Sequence, residues 1–99
     1  YGLRKIVEVG RALALEPKIL LMDEPGSGLS VEEKQDLAFW IQDIREELGI
    51  TVLLIEHDLN LVREVSDRVA VLSRGELICI GNPSGLDQES QVVEAFIGK

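Results

Sequence analysis

The sequence predicts an α/β fold, with parallel strands flanked by helices. Residues 18–22 and 51–55 read as strands, each built on a short, unbroken apolar run, Ile19 to Met22 and Val52 to Ile55. Segments with apolar residues at helical spacing alternate with them. Each run stops at ionisable residues, Asp23 and Glu24 after the first, Glu56 and His57 after the second. Alternation of this kind implies a parallel sheet with right-handed crossovers, and in such sheets ligands sit at the carboxyl ends of the strands.

The elements follow in order. Leu3, Ile6, Val7, Gly10, Leu13 and Ala14 recur at helical spacing, and Pro17 ends that helix. Residues 18–22 form the first strand, expected to be buried on both faces because its apolar residues do not alternate. Gly26, Ser27 and Gly28 make a loop. Ser30 with Glu33 matches a capping box and opens a helix carrying Leu37, Ile41, Ile44 and Leu48 on one face. Gly49 closes it. Residues 51–55 form the second strand. Asp58 caps a short helix with Leu59, Val62 and Val65 inward. Residues 68–72 and 77–80 flank Arg74-Gly75-Glu76 and read as a hairpin. Pro83 and Gly85 mark a loop, and residues 89–97 form a final helix. Trp40 is expected as a partly buried anchor on its helix or as a residue left exposed by missing chain.

Composition narrows the function classes. A chain of 99 residues makes one small domain with a modest core. The formal charge is −8, the basic residues are scattered, and there are four aromatics. Nucleic-acid surfaces need clustered positive charge, so none is expected here. Cys79 is the only cysteine, which excludes an intrachain disulfide and suits a core position in a reducing compartment. The longest apolar runs are far shorter than the roughly 20 residues that span a bilayer. The chain starts at Tyr1 and has one methionine, Met22, so it is expected to be a fragment of a longer protein.

The strand-end residues allow a definite chemistry. A carboxylate such as Asp23 can hold Mg²⁺, directly or through water, while phosphate oxygens fill the other positions. Glu24, adjacent and pointing elsewhere, can orient or deprotonate a water that attacks a phosphoryl group. His57 can hydrogen-bond the transferred phosphate. Singly, each has a plainer reading. Asp-Glu before proline makes a solvated turn, a lone histidine is commonly a polar loop residue, and Ser27 and Ser30 serve turns and caps. The joint arrangement is what favours the phosphoryl-transfer reading.

Four segments carry a resemblance to ABC-type ATPases, and it covers the whole chain. "ILLMDEP" resembles their Walker B segment, which implies Asp23 as the metal carboxylate and Glu24 as the hydrolytic one. "GSGLS" resembles the D-loop, residues Ser27, Gly28, Leu29 and Ser30 included; Ser30 stands where that loop usually ends in Asp. "LLIEHD" resembles the strand and switch histidine, with His57 in that role. "YGLRK" resembles the tail of the signature motif L-S-G-G-Q, with Tyr1 at its first Gly, Gly2 at its second and Leu3 at its Gln. The closing segment is similar to ATP-binding subunits of branched-chain amino acid importers.

The resemblance implies the second half of a P-loop NTPase domain, ending in a β-hairpin and helix. Residues 1–99 would be its C-terminal part, without the Walker A motif G-x-x-x-x-G-K-[ST], which does not occur in this sequence. It implies ATP and Mg²⁺ as cofactors and ATP hydrolysis by the full-length protein, with the piece alone inactive. It further implies a head-to-tail partner ATP-binding subunit, whose ATP Gly2 and Leu3 would meet in trans, and transmembrane permease subunits at the cytoplasmic face of the membrane. Three alternatives remain: a non-transport ABC ATPase of DNA repair or translation, a non-enzymatic truncated remnant, and a phospho-acceptor receiver domain using Asp23.

Overall fold

A computed structural model describes residues 2–84. Their elements run α1 (Gly2–Leu13), β1 (Ile19–Asp23), α2 (Val31–Glu46), β2 (Thr51–Ile55), α3 (Leu59–Val65), β3 (Val69–Ser73) and β4 (Glu76–Gly81). The expected order holds through β4; the helix expected at 89–97 lies outside the described residues. The chain divides into two units, Tyr1–Val65 and Ser66–Lys99.

In the first unit β1 and β2 pair in parallel, Ile19 opposite Thr51 and Asp23 opposite Ile55. One face of this pair is covered. Leu20 and Met22 are 6% and 8% exposed, and Val52 and Leu54 pack with them. The other face is bare, with Ile19, Leu21, Leu53 and Ile55 each at least 59% exposed. This corrects the expectation that β1 is buried on both faces. The apolar run is real, but among the described residues only one side of the two-stranded sheet has a helical cover.

That cover is chiefly α2. Ser30 accepts from the Glu33 amide at 3.2 Å, and the Glu33 carboxylate accepts from the Ser30 amide at 3.0 Å, completing the capping box. A serine cap of this kind contributes about 1 kcal/mol. Leu37, Ala38, Ile41 and Ile44 are buried at helical spacing on the inner face. Ile41 is 1% exposed, and truncating it to alanine would cost roughly 2–5 kcal/mol. Leu48 is not on that face, against expectation. The helix stops at Glu46, and Leu48 lies beyond it and is 59% exposed. Gly49 takes φ +65° and turns Ile50 back into the core, its amide reaching the Ile44 carbonyl at 3.3 Å. Trp40 is half-buried, as expected.

The short α3 is held from outside. Asp58 caps it, accepting from the amides of Asn60 and Leu61 at 3.1 and 3.3 Å. At its other end Gln42 and Arg45 of α2 donate to the carbonyls of Glu64 and Val65, which the helix cannot satisfy itself. Its buried residues are Leu61, Val62 and Val65. Leu61 therefore takes the core position expected of Leu59. From α1, Val9, Ala12 and Leu13 pack on the core, while Ile6 and Val7 are exposed.

The second unit contains the expected hairpin. Arg74 and Gly75 both have positive φ, 52° and 79°, the geometry of a type I′ turn matched to strand twist. Val71 faces Cys79 and Leu72 faces Leu77, so Ile78 is the extra residue of a bulge. Cys79 packs with Val69, Val71 and Ile78 around a small satellite core.

Candidate strand-end site

Pairing in parallel register brings the carboxyl ends of β1 and β2 side by side, because Asp23 stands opposite Ile55. Asp23 is the last residue of β1 and is exposed. Glu24 leaves the strand with φ +46°, a left-handed conformation that costs a non-glycine residue free energy. Its amide donates to the Ile55 carbonyl at 2.7 Å, which ties this bend to the end of β2.

The Glu24 side chain then meets His57, its Oε1 2.8 Å from Nδ1. A carboxylate can only accept, so an ionised Glu24 requires the proton on Nδ1. That leaves Nε2 as the ring nitrogen Glu24 does not engage. Both side chains are about half exposed, 60% for His57 and 48% for Glu24, so the contact is open to solvent on one side. Sequence reading placed both residues at strand ends; the structure joins them directly.

The following turn is built on hydrogen bonds from the Ser27 amide to the Glu24 carbonyl and from the Leu29 amide to the Gly26 carbonyl. Pro25 and Gly26 are buried, Ser27 and Gly28 are exposed, and Leu29 packs on the core. Ser30 ends the turn as the cap of α2. A second tie crosses the same region. Lys34 in the first turns of α2 meets Asp58 at 2.8 Å. The Lys34 ammonium holds the Asp58 carboxyl below its ordinary range, and the Asp58 carboxylate raises Lys34 in turn. Glu33 is held low by the backbone and hydroxyl of Ser30. Gly2 and Leu3 lie in the first turn of α1, a separate element from this cluster.

Sequence reading gave Glu56 no role of its own. It follows β2 directly, and its side chain is 1% exposed. Its Oε2 accepts from the Gly26 amide at 3.0 Å, and its Oε1 accepts from the His57 amide at 3.0 Å. The available signal is an acid abutting the apolar run Val52 to Ile55. Its partner, Gly26, is 30 residues away and gave none.

For a cation, the described residues offer no group of three or more His, Cys, Asp or Glu side chains. A single strand-end carboxylate does fit a Mg²⁺ that arrives with phosphate, since that ion keeps waters and takes only one or two carboxylates beside phosphate oxygens.

No protein-family model matches the chain. Over its whole length it is 37% identical to the high-affinity branched-chain amino acid transport ATP-binding protein BraF of Pseudomonas aeruginosa, and this match covers 39% of BraF. The chain thus spans about two fifths of that relative. Among solved structures, the ADP conformation of MJ1267, an ATP-binding cassette of an ABC transporter, superposes with a TM-score of 0.88 at 34% identity, covering 99% of this chain and 40% of that one. The dimeric post-hydrolysis state of the ATP-binding cassette MJ0796, bound to ADP and Pi, superposes with a TM-score of 0.74 at 30% identity, over 83% of this chain and 35% of that one. By sequence along its full length and by its α/β fold, the chain takes its place among the relatives of ABC transporter ATP-binding proteins.

Proposed function

We propose that residues 1–99 are the C-terminal part of one ABC-type nucleotide-binding domain, and that the whole protein hydrolyses ATP to drive solute import. The observation that carries this reading is the Glu24–His57 contact of 2.8 Å at the ends of two parallel, adjacent strands. Such a crevice is where α/β sheets bind ligands. Asp23 is the residue for Mg²⁺, direct or through water, and Mg-ATP supplies the phosphoryl group. Glu24 orients the attacking water and receives its proton through the oxygen not facing His57. His57, oriented by Glu24 through Nδ1, presents Nε2 toward the γ-phosphate; donating from that nitrogen as well requires the cationic ring. Gly2 and Leu3 meet nucleotide in trans in a head-to-tail dimer, with residues 27–30 lying at the same subunit junction. The transmembrane partners are permease subunits, which places the protein at the cytoplasmic face of the membrane.

Branched-chain amino acids are the proposed solute class, supported by the likeness to BraF over every residue of the chain. The bare sheet face of Ile19, Leu21, Leu53 and Ile55 is the surface that the remainder of such a cassette would cover.

The test is Glu24→Gln in the intact protein. Positioned acid-base groups supply roughly 10²–10⁴-fold in rate, so turnover should fall by about that factor while nucleotide binding is retained. Near-normal steady-state hydrolysis would rule out the assignment.

A further inference from the structure

Glu56 is an acid whose side chain is hidden between two loops. Its side chain is 1% exposed, His57 Nδ1 lies 3.7 Å from its Oε1, and the charge of Lys34 also acts on it. Burying a carboxylate is costly unless hydrogen bonds replace its water. Backbone amides do so here. Oε2 takes the Gly26 amide at 3.0 Å, and Oε1 takes the His57 amide at 3.0 Å and, at a long 3.4 Å, the Asp58 amide. Charge-assisted bonds of this type are roughly twice as strong as neutral ones.

The two oxygens divide between two loops. One holds the turn that starts at Glu24, and the other holds the segment that carries His57. We propose that Glu56 is a positioning residue that sets the distance between Glu24 and His57. With its side chain 1% exposed, it acts through these two loops and not on the reactants. The Lys34–Asp58 pair anchors the far side of His57, so the histidine is held at both sequence neighbours.

Gly26 fits this role from the other direction. A Cβ at Gly26 would stand 3.0 Å from Glu56 Oε2 and 3.2 Å from Leu61 Cδ2. Such contacts are tighter than most that a Cβ makes, so a side chain at Gly26 would press the carboxylate or Leu61 aside by a few tenths of an ångström. The turn is thus built around the acid, and the acid cannot shift without moving Gly26 or His57.

This inference rests on the proposed ATPase reading for its kinetic consequence, and its geometric consequence stands alone. The test uses the intact protein with Glu56→Ala and Glu56→Gln. Glutamine keeps the shape but has one acceptor oxygen, so it can satisfy only one of the two loops. It keeps the experiment decisive if the alanine variant does not fold. Misplacing reacting groups by about 1 Å can cost on the order of 10²-fold. Glu56→Gln should therefore lower kcat for Mg-ATP hydrolysis by about tenfold or more while KM stays within about threefold. The imidazole NMR signals of His57, identified by their loss in His57→Ala, should move in Glu56→Gln without nucleotide present. Unchanged kcat in a folded Glu56→Gln variant overturns the proposal, and so do unmoved His57 signals whatever the rate does. An inactive parent protein would instead sink the ATPase reading, and the NMR shift would still decide whether Glu56 positions His57.

Discussion

Lys34 Nζ lies 2.8 Å from Asp58 Oδ2, joining the start of α2 to the start of α3 across 24 residues of sequence. The pair is partly exposed, at 34% and 21%, so solvent moderates it. Its pH response has a definite sign. The Lys34 hydrogen bond holds Asp58 below its ordinary value of 3.8, so this contribution is full above 3.8 and is lost as pH falls through the lowered value. Lys34 is raised above 10.5, so its share is full below 10.5 and is lost only as pH rises past it. Asp58→Asn separates charge from capping, because asparagine caps as well as aspartate. It should destabilise the intact protein at neutral pH, and the deficit should shrink as pH drops below 3.8. Denaturation midpoints of both proteins against pH measure this. A deficit that stays constant into acid would mean the ion pair is inert.

His57→Ala removes the imidazole and also frees the Glu24 carboxylate it contacts. ATP turnover in the intact protein should drop by roughly 10²-fold or more, with nucleotide affinity changed far less. Equal losses in rate and affinity would place His57 in binding instead of hydrolysis.

The 99-residue chain by itself should show no saturable Mg-ATP binding at micromolar nucleotide. It has a formal charge of −8 and no G-x-x-x-x-G-K-[ST] loop to cradle phosphates. Mg²⁺ at Asp23 does not compensate, since that ion relies on phosphate already held nearby. Calorimetric titration of the purified chain gives the answer, and a micromolar binding isotherm would reveal a phosphate site outside the proposed residues.

Local rules made much of this fold legible. The Ser30–Glu33 box, the Asp58 cap and the Arg74-Gly75 turn are written within a few residues, and each forms as expected. Tertiary context decides the rest. Leu48 continues the apolar spacing of α2, but the helix ends at Glu46 before it can reach the core. The bare face of β1 reads as buried because composition records what a strand can pack against, not what is present. At the site, Asp23, Glu24 and His57 announced themselves as ionisable groups ending apolar runs. Glu56 ends a run as well, but its tie to the Gly26 amide 30 residues away has no sequence spacing to show it.

The left-handed backbone of Glu24 has an evolutionary consequence. An L residue in that conformation costs roughly 1–2 kcal/mol, which glycine would largely escape. Stability and chemistry therefore favour different residues at one position. A lineage with no use for the acid would gain by Glu24→Gly and drift toward it. One that still hydrolyses nucleotide must keep the less comfortable residue, held down by the Ile55 carbonyl and by His57. The identity of this single residue across descendants would thus record whether the turn still serves a reaction or merely a fold.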